Sequence, residues 1–443
     1  MLLDLIYLIA FVGLLPWVAW RKVSGGRPVA APWSRFIGST PPLLPKGTRQ
    51  RIWLHGVSVG EIQLLSSLSR EITAQANANG LAVEFVVSSS TTTGLDLAAK
   101  RFGAAVVFPC PLDFTWAVRR VVKAVDADLL VLGELELWPH LLDAARRHRL
   151  PIVVANGRLS ERSARGYRRV APLVRRMLSR VTLVSARSAA DAARFRALGA
   201  PTVVDAGSMK FDGVRGDRAA EDVRCLAKLA GFVEDDIVFL AGSTQAPEEA
   251  LAIDAYRAAS ADHPRLRLVI VPRHVERKPE IVALLDASGL AWQARSTLET
   301  EGATPHARVL LVDTTGELGA WWGTASIAFV GGSLDGKRGG QNMLEPAAYG
   351  AAVCFGPHTR NFADEVAVLL AADAARVVAD GAALTAFVLD CLGAQAPLAQ
   401  GTRAARTVAA HRGATAATAE RILALLSAGP REAKGCPPAR EPG

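Results

Sequence analysis

The chain, 443 residues long, reads as an α/β protein made of two doubly wound, parallel-sheet halves. Three observations predict this. Short apolar runs alternate with amphipathic stretches of helical period along nearly the whole sequence, the pattern of strand, crossover helix and parallel strand. The rhythm pauses once, over Ser208–Glu234, and then restarts. The length suits two domains at roughly 100–200 residues each, and half of the residues are hydrophobic, enough for two large cores.

The elements follow in order. Residues 1–22, beginning MLLDLIYLIAFVGLLPWVAW, are apolar with Asp4 as the lone charge in the run, and Arg21, Lys22 and Arg27 come after it. That length approaches a hydrocarbon span, and the charge placement keeps the body of the protein on the cytoplasmic side. A secretory leader would carry its charge first. A membrane anchor helix is expected over 1–22, with a buried first helix as the alternative. Residues 23–50 are rich in proline, glycine and basic residues and read as a linker. RIWLHGVS, LAVEFVVSSS, DLLVLGELE, PIVVANG, RVTLVSA and PTVVDAGS are strands of an N-terminal domain over 51–210, with amphipathic helices such as EIQLLSSLSREITAQA between them. A linker is expected over 211–235. DIVFLAGST, LRLVIVPRH, ARVLLVDTT, ASIAFVGGS and AAVCFG are strands of a second domain over 236–402, followed by one C-terminal helix over 403–427 and a disordered tail over 428–443.

The formal charge of +9 favours an anionic partner such as a phosphorylated substrate or a membrane surface. Aromatic residues at 6% argue against base stacking, so no nucleic acid is expected. The five cysteines are widely spaced, with no CxxC pair, which suggests neither a zinc site nor a disulfide framework. No metal is expected.

Ligands of open α/β sheets sit at the carboxyl ends of the strands, so chemistry is sought there. HGVSVGE follows the first strand and puts Glu61 at a helix start, where the dipole is expected to lower its pKa and keep it ionised as a base. GELELWPHL brings Glu134 and Glu136, which strand alternation would place on one side. AGSMKFD places Lys210 where the chain crosses between domains. Each of these, taken alone, is more commonly a plain cap, an ion-pair partner or a solvated linker residue. The second half is richer. GST, VPRH, DTTGE and the stretch FVGGSLDGKRGGQNMLEPAAYG all follow strands. Arg273 suits a phosphate, which its planar fork grips twice. DGKRGGQN reads as a mobile glycine loop, and NMLEP as a helix start for phosphate, with Glu345 one turn in for the hydroxyls of a ribose. Neither a P-loop nor the dinucleotide fingerprint is present. The pattern is a nucleotide-sugar site.

HGVSVGE, GELELWPHL, NGRLSERSARGY, GSMKFD, GST, VPRHVER, DTTGELGAWWG, AFVGGS, GGQNMLEPAAYG and GPHTRNF, in this order, resemble the 3-deoxy-D-manno-oct-2-ulosonic acid (Kdo) transferases over about residues 1–427. The resemblance implies a GT-B fold, two Rossmann-like domains facing a central cleft. It implies inverting, metal-independent transfer of Kdo from CMP-Kdo to lipid A precursor (lipid IVA) at the cytoplasmic face of the inner membrane. CMP-Kdo is then a substrate, and no cofactor is expected. By motif, Glu61 is the general base, and Glu134 and Lys210 support the transition state. Pro272 and Arg273 hold the CMP phosphate, Thr315, Gly316 and Glu317 line the nucleotide, and Asn342, Met343, Leu344 and Glu345 hold ribose and phosphate. The chain departs from the usual family pattern at Gly56, at Gln341 and in the insertion Asp335–Gly336–Lys337. Arg158, Arg162, Arg165, Arg169, Arg176 and Arg180 recur at helical spacing and predict a basic face for acceptor phosphates or anionic lipid. Two other readings are open: another GT-B glycosyltransferase or epimerase using a UDP-sugar, and a non-catalytic nucleotide-sugar binder.

Overall fold

The computed structural model describes residues 3–9, 11–13, 32–393 and 396–427. It divides into two compact units, 1–213 with 412–443, and 214–411.

The first unit carries seven parallel strands in the order β3-β2-β1-β4-β5-β6-β7: β1 Gln50–Gly56, β2 Val83–Ser89, β3 Val107–Pro109, β4 Leu129–Gly133, β5 Ile152–Gly157, β6 Leu183–Ala186 and β7 Val203–Asp205. Its strands are apolar on both faces because helices cover both. Alternation along β1 shows this directly. Trp53 packs with Leu130, Leu132 and Val154 against helices Thr115–Val125, Pro139–Arg147 and Ala189–Ala197. Ile52 and Leu54 face the other way, with Val131 and Val153, onto helix Val59–Ala78. The sheet reverses its winding between β1 and β4, the point where such sheets bind ligands.

The second unit repeats the plan in the order β10-β11-β9-β8-β12-β13-β14. Its strands are β8 Ile237–Thr244, β9 Leu266–Pro272, β10 Trp292–Ala294, β11 Val309–Leu311, β12 Ile327–Val330, β13 Ala352–Phe355 and β14 Ala375–Val377. Phe239, Leu268, Ile270, Phe329 and Cys354 form the core beneath helices Glu248–Ser260 and Gly381–Gly393. Here the winding reverses between β8 and β12.

Four expectations change. The predicted C-terminal helix is two helices, Ala396–Ala410 in the second unit and Ala414–Ser427 in the first, parted near Gly413 at φ +108°. Ala414, Ala419, Ile422 and Leu423 of the latter lie in the core beside helix Val59–Ala78. The predicted 211–235 linker is largely part of the second unit. It contains helix Glu221–Leu229, and the Arg218 guanidinium donates to the carbonyls of Tyr349, Gly323 and Ala325 at 2.6, 2.9 and 2.6 Å. The 23–50 segment is not a free linker where it is described: helix Pro32–Ile37 is fixed by Arg35, whose Nε donates to the Cys110 carbonyl at 2.8 Å.

The fourth concerns the N-terminus. Among the described residues no helix is long and apolar enough to cross a membrane. Residues 3–9 and 11–13 are helical. The carboxylate of Asp4 accepts 2.8 Å hydrogen bonds from the Thr115 N–H and hydroxyl, at the start of helix Thr115–Val125, and Tyr7 donates to Asp113 at 3.4 Å. The one charge of the apolar run is therefore a helix cap. Leu5, Ile6, Ile9 and Val12 remain more than half exposed. Residues 14–22 of the predicted anchor and the 428–443 tail lie outside the described residues.

Candidate functional site

In the first unit the site forms where β1 and β4 end. Ser58 caps helix Val59–Ala78, its hydroxyl accepting from the Glu61 N–H, and Glu61 returns the bond in a capping box. The carboxylate is held at two points: Oε2 accepts from the Val57 N–H and Oε1 from the Ser58 hydroxyl, both at 2.8 Å. Gly56 and Gly133 make room for it. A Cβ at Gly56 would lie 3.1 Å from Glu61 Cβ, and one at Gly133 would lie 3.5 Å from Glu61 Oε2. Gly56, one of the departures from the family pattern, thus sits directly against the predicted base.

The expectation of a lowered Glu61 pKa does not hold. Burial pushes its pKa above the ordinary 4.5, the two hydrogen bonds oppose this, and the neighbouring Glu134 charge raises it further. A basic, still ionisable carboxylate suits proton abstraction better than a depressed one. Glu136 is raised in the same way, by burial first and by Glu61 and Glu134 after it, although the Trp138 indole donates to it at 2.8 Å. So Glu61, Glu134 and Glu136 do come together, but not through strand alternation. β4 stops at Gly133, and Glu134 adopts φ +55°. A non-glycine residue in that region is strained, and such strain concentrates at functional sites.

Lys210 follows β7 in a turn fixed by the Asn156 carboxamide, which accepts from the Met209 N–H at 3.0 Å. Asn156 also has positive φ, 54°, where the β5–β6 register shifts. Such bulges re-aim side chains. His55, on β1, is fully buried. Its Nδ1 lies 3.1 Å from the Ser88 carbonyl, and burial pulls its pKa down to about 4, so it is neutral near pH 7. Sequence reading assigned His55, Asn156 and Glu136 no role. A lone histidine within the apolar run of β1 could have marked His55 as a buried polar residue.

In the second unit the expected nucleotide residues gather on the edge formed by the ends of β8, β9, β11 and β12. Pro272 is buried at the end of β9, paired with Thr244 across the sheet. Arg273 is exposed; its N–H donates to the Thr244 carbonyl at 3.0 Å, and among the described residues its guanidinium has no carboxylate partner. Thr315 and Gly316 are exposed, Gly316 at φ +89°. Glu317 lies beside them but its carboxylate is occupied: Arg295 binds it from two nitrogens at 3.0 and 2.8 Å, Thr314 at 2.7 Å and Trp321 at 3.3 Å. It shapes the turn, and the backbone of Thr315–Gly316 beside it is exposed.

The glycine-rich stretch also differs from expectation. Its helix, Leu344–Ala348, has five residues, too short for a strong dipole of its own. Met343 and Leu344 are fully buried, so they can offer only backbone. Asn342 donates to Glu345 at 2.9 Å, and burial raises the Glu345 pKa. The predicted mobile loop is fastened. Arg360 donates to the Gly336 and Lys337 carbonyls, and the Asn361 side chain to those of Arg338 and Gly340. Glycines are required at Gly336, Gly339 and Gly340, where φ lies between +68° and +85°.

The basic face is partly as expected. Arg162, Arg165, Arg169 and Arg176 are exposed on helices Glu161–Arg168 and Ala171–Leu178 and the junction between them. Arg180 is not part of that face: its side chain is 4% exposed and paired with Asp143 at 2.6 Å. Val170 and Leu173, about half exposed, lie among the exposed arginines.

Comparison with known proteins identifies the family. The family described as "3-Deoxy-D-manno-octulosonic-acid transferase (kdotransferase)" matches residues 32–213. A 3-deoxy-D-manno-octulosonic acid transferase of Bordetella pertussis is 33% identical over 94% of this chain and 98% of its own. That of Haemophilus influenzae is 34% identical over 71% of this chain and 72% of its own. A crystal structure of UDP-GlcNAc 2-epimerase from Neisseria meningitidis aligns with TM-score 0.56 at 11% identity, over 86% of this chain and 100% of that one, a likeness of fold alone. The chain belongs to the 3-deoxy-D-manno-octulosonic acid transferase family of glycosyltransferases.

Proposed function

We propose that the protein transfers Kdo from CMP-Kdo to a lipid A precursor, lipid IVA, with inversion at the anomeric carbon, on the cytoplasmic face of the inner membrane. Family membership supports the reaction. The observation that carries the mechanism is Glu61, a buried, doubly hydrogen-bonded carboxylate of raised pKa at the winding reversal of its sheet. The acceptor hydroxyl oxygen forms a bond to the anomeric carbon of Kdo, and its proton passes to Glu61. The bond from that carbon to the CMP phosphate oxygen breaks, and CMP leaves with the electron pair. Glu134 and Lys210 steady the cation-like sugar and the growing negative charge.

Arg273 and the Asn342–Glu345 segment hold the nucleotide, with the exposed backbone of Thr315–Gly316 beside it. The exposed arginines around Val170 and Leu173 pair cationic with apolar surface, the chemistry of a phosphorylated lipid. Leu5, Ile6, Ile9 and Val12 supply further apolar surface toward the bilayer. Acceptor-dependent release of CMP tests the reading. Release from CMP-Kdo only when lipid IVA is present supports it, and no release with active lipid IVA and CMP-Kdo overturns it.

A further inference from the structure

Glu248 has no place in the reaction above, yet it occupies the ligand position of the second sheet. It opens helix Glu248–Ser260 and is 2% exposed. Its Oε2 accepts from the N–H groups of Gln245 and Gly332 at 3.0 and 2.7 Å. Its Oε1 accepts from those of Ser333 and Leu334 at 3.0 and 3.2 Å. One donor follows β8 and three follow β12, the two strands that flank the reversal of winding. Converging amides at that point are a ready anion site in sheets of this kind. Here the protein's own carboxylate fills it. The fit is close: a Cβ at Gly331 would stand 2.6 Å from Glu248 Oε2 and 2.7 Å from Thr244 Cα.

The bonds run outward from there. The Thr244 carbonyl, in the turn Glu248 holds, accepts from the Arg273 N–H. Ser333 carries the order onward: its hydroxyl accepts from the Gly356 N–H at 2.8 Å and its carbonyl from the His358 N–H at 3.0 Å. The Gly332 carbonyl accepts from the Gly340 N–H at 2.8 Å, two residues before Asn342. Glu248 thus stands at the root of both segments proposed to grip the nucleotide.

We propose that Glu248 is a positioning residue, an internal anion that preforms the donor site and directs the donor phosphate away from the amide cluster, toward Arg273. It rests on the nucleotide reading of this unit. A neutral residue of the same shape leaves the cluster with an NH2 group facing N–H donors and no charge.

The test uses the full chain, with CMP binding measured by calorimetry and folding by thermal melting. Wild type must bind CMP; if it does not, the nucleotide reading itself fails. Glu248→Gln is expected to weaken CMP binding tenfold or more and to raise KM for CMP-Kdo with a smaller change in kcat, the reverse of a base variant. Glu248→Ala, which leaves a carboxylate-sized space, is expected to regain CMP affinity on adding formate, which has no effect on wild type. A folded Glu248→Gln that binds CMP within twofold of wild type overturns the proposal. So does a folded Glu248→Ala that formate does not restore.

Discussion

Replacing Glu61 with glutamine separates its chemistry from its place in the fold. The glutamine oxygen can keep the Val57 N–H bond, and its NH2 can donate to the Ser58 hydroxyl, which turns to accept. Two charge-assisted bonds become neutral ones, a loss of about 1 kcal/mol each. Against this, the substitution removes a charge that burial and Glu134 both disfavour. The sign follows from the pKa. A carboxyl raised on folding destabilises the native state wherever it is ionised, above its ordinary value, and glutamine abolishes that penalty. The two effects oppose each other, so Glu61→Gln should melt within a few degrees of wild type at neutral pH. Transfer should fall by about 10²–10⁴, equivalent to roughly 2.7–5.4 kcal/mol of barrier. The assay is transfer rate at saturating CMP-Kdo and lipid IVA beside a melting curve. The acid limb of kcat/KM should lie above the ordinary glutamate value, and Glu134→Gln, by removing a like charge, should move it down. Transfer near the wild-type rate in a folded Glu61→Gln refutes the reasoning, and so does an acid limb that Glu134→Gln leaves in place or moves up.

Three further outcomes are expected. Arg273→Ala and Glu345→Ala should each weaken CMP binding by about 1.5–3 kcal/mol, the size of a charge-assisted hydrogen bond; unchanged calorimetric affinity in both would put the nucleotide elsewhere. His55 is held neutral by burial with its pKa lowered to about 4. Its stabilising contribution is therefore complete above about 6.5 and is lost as pH falls toward 4, by roughly 3 kcal/mol over that window. Denaturant unfolding of wild type and His55→Gln should show that difference shrinking from pH 7 to pH 4, and a difference independent of pH would contradict it. Deleting residues 1–22 should release the protein from membranes and cost the first unit the Asp4 cap, about 0.5–2 kcal/mol, while CMP binding persists. A truncated chain that stays membrane-bound contradicts the bilayer role given to Leu5, Ile6, Ile9 and Val12.

The doubly wound plan was legible because buried parallel strands are apolar on both faces and read as continuous runs. IWLHG, LLVLG and IAFVG could hardly be anything else. The strands that escaped notice, β3, β10 and β14, are three residues long, and β3, β10 and β14 all stand at sheet edges, where one side needs no apolar partner. The carboxyl-end logic placed Glu61, Glu134, Arg273 and Glu345 at strand ends without any distance. It could not give the direction of the Glu61 shift, because burial outweighs the helix terminus only once Gly56 and Gly133 close around the side chain. Glu317 was expected to line the nucleotide, and Glu248 drew no expectation at all. Their partners, Arg295 in one case and backbone amides 84–86 residues away in the other, are set by tertiary contact and leave no local signal. The break before Ala414 was hidden for the opposite reason: both flanking segments are good helix formers, and only packing assigns them to different units.

The most direct test of the whole account is the mass of the product. Purified full-length protein incubated with CMP-Kdo and lipid IVA should yield lipid IVA heavier by whole Kdo residues, with CMP released in equal amount and no such product from Glu61→Gln on the same timescale. Lipid IVA recovered unmodified by an enzyme that binds CMP, or a sugar added from UDP-GlcNAc in place of CMP-Kdo, would contradict it.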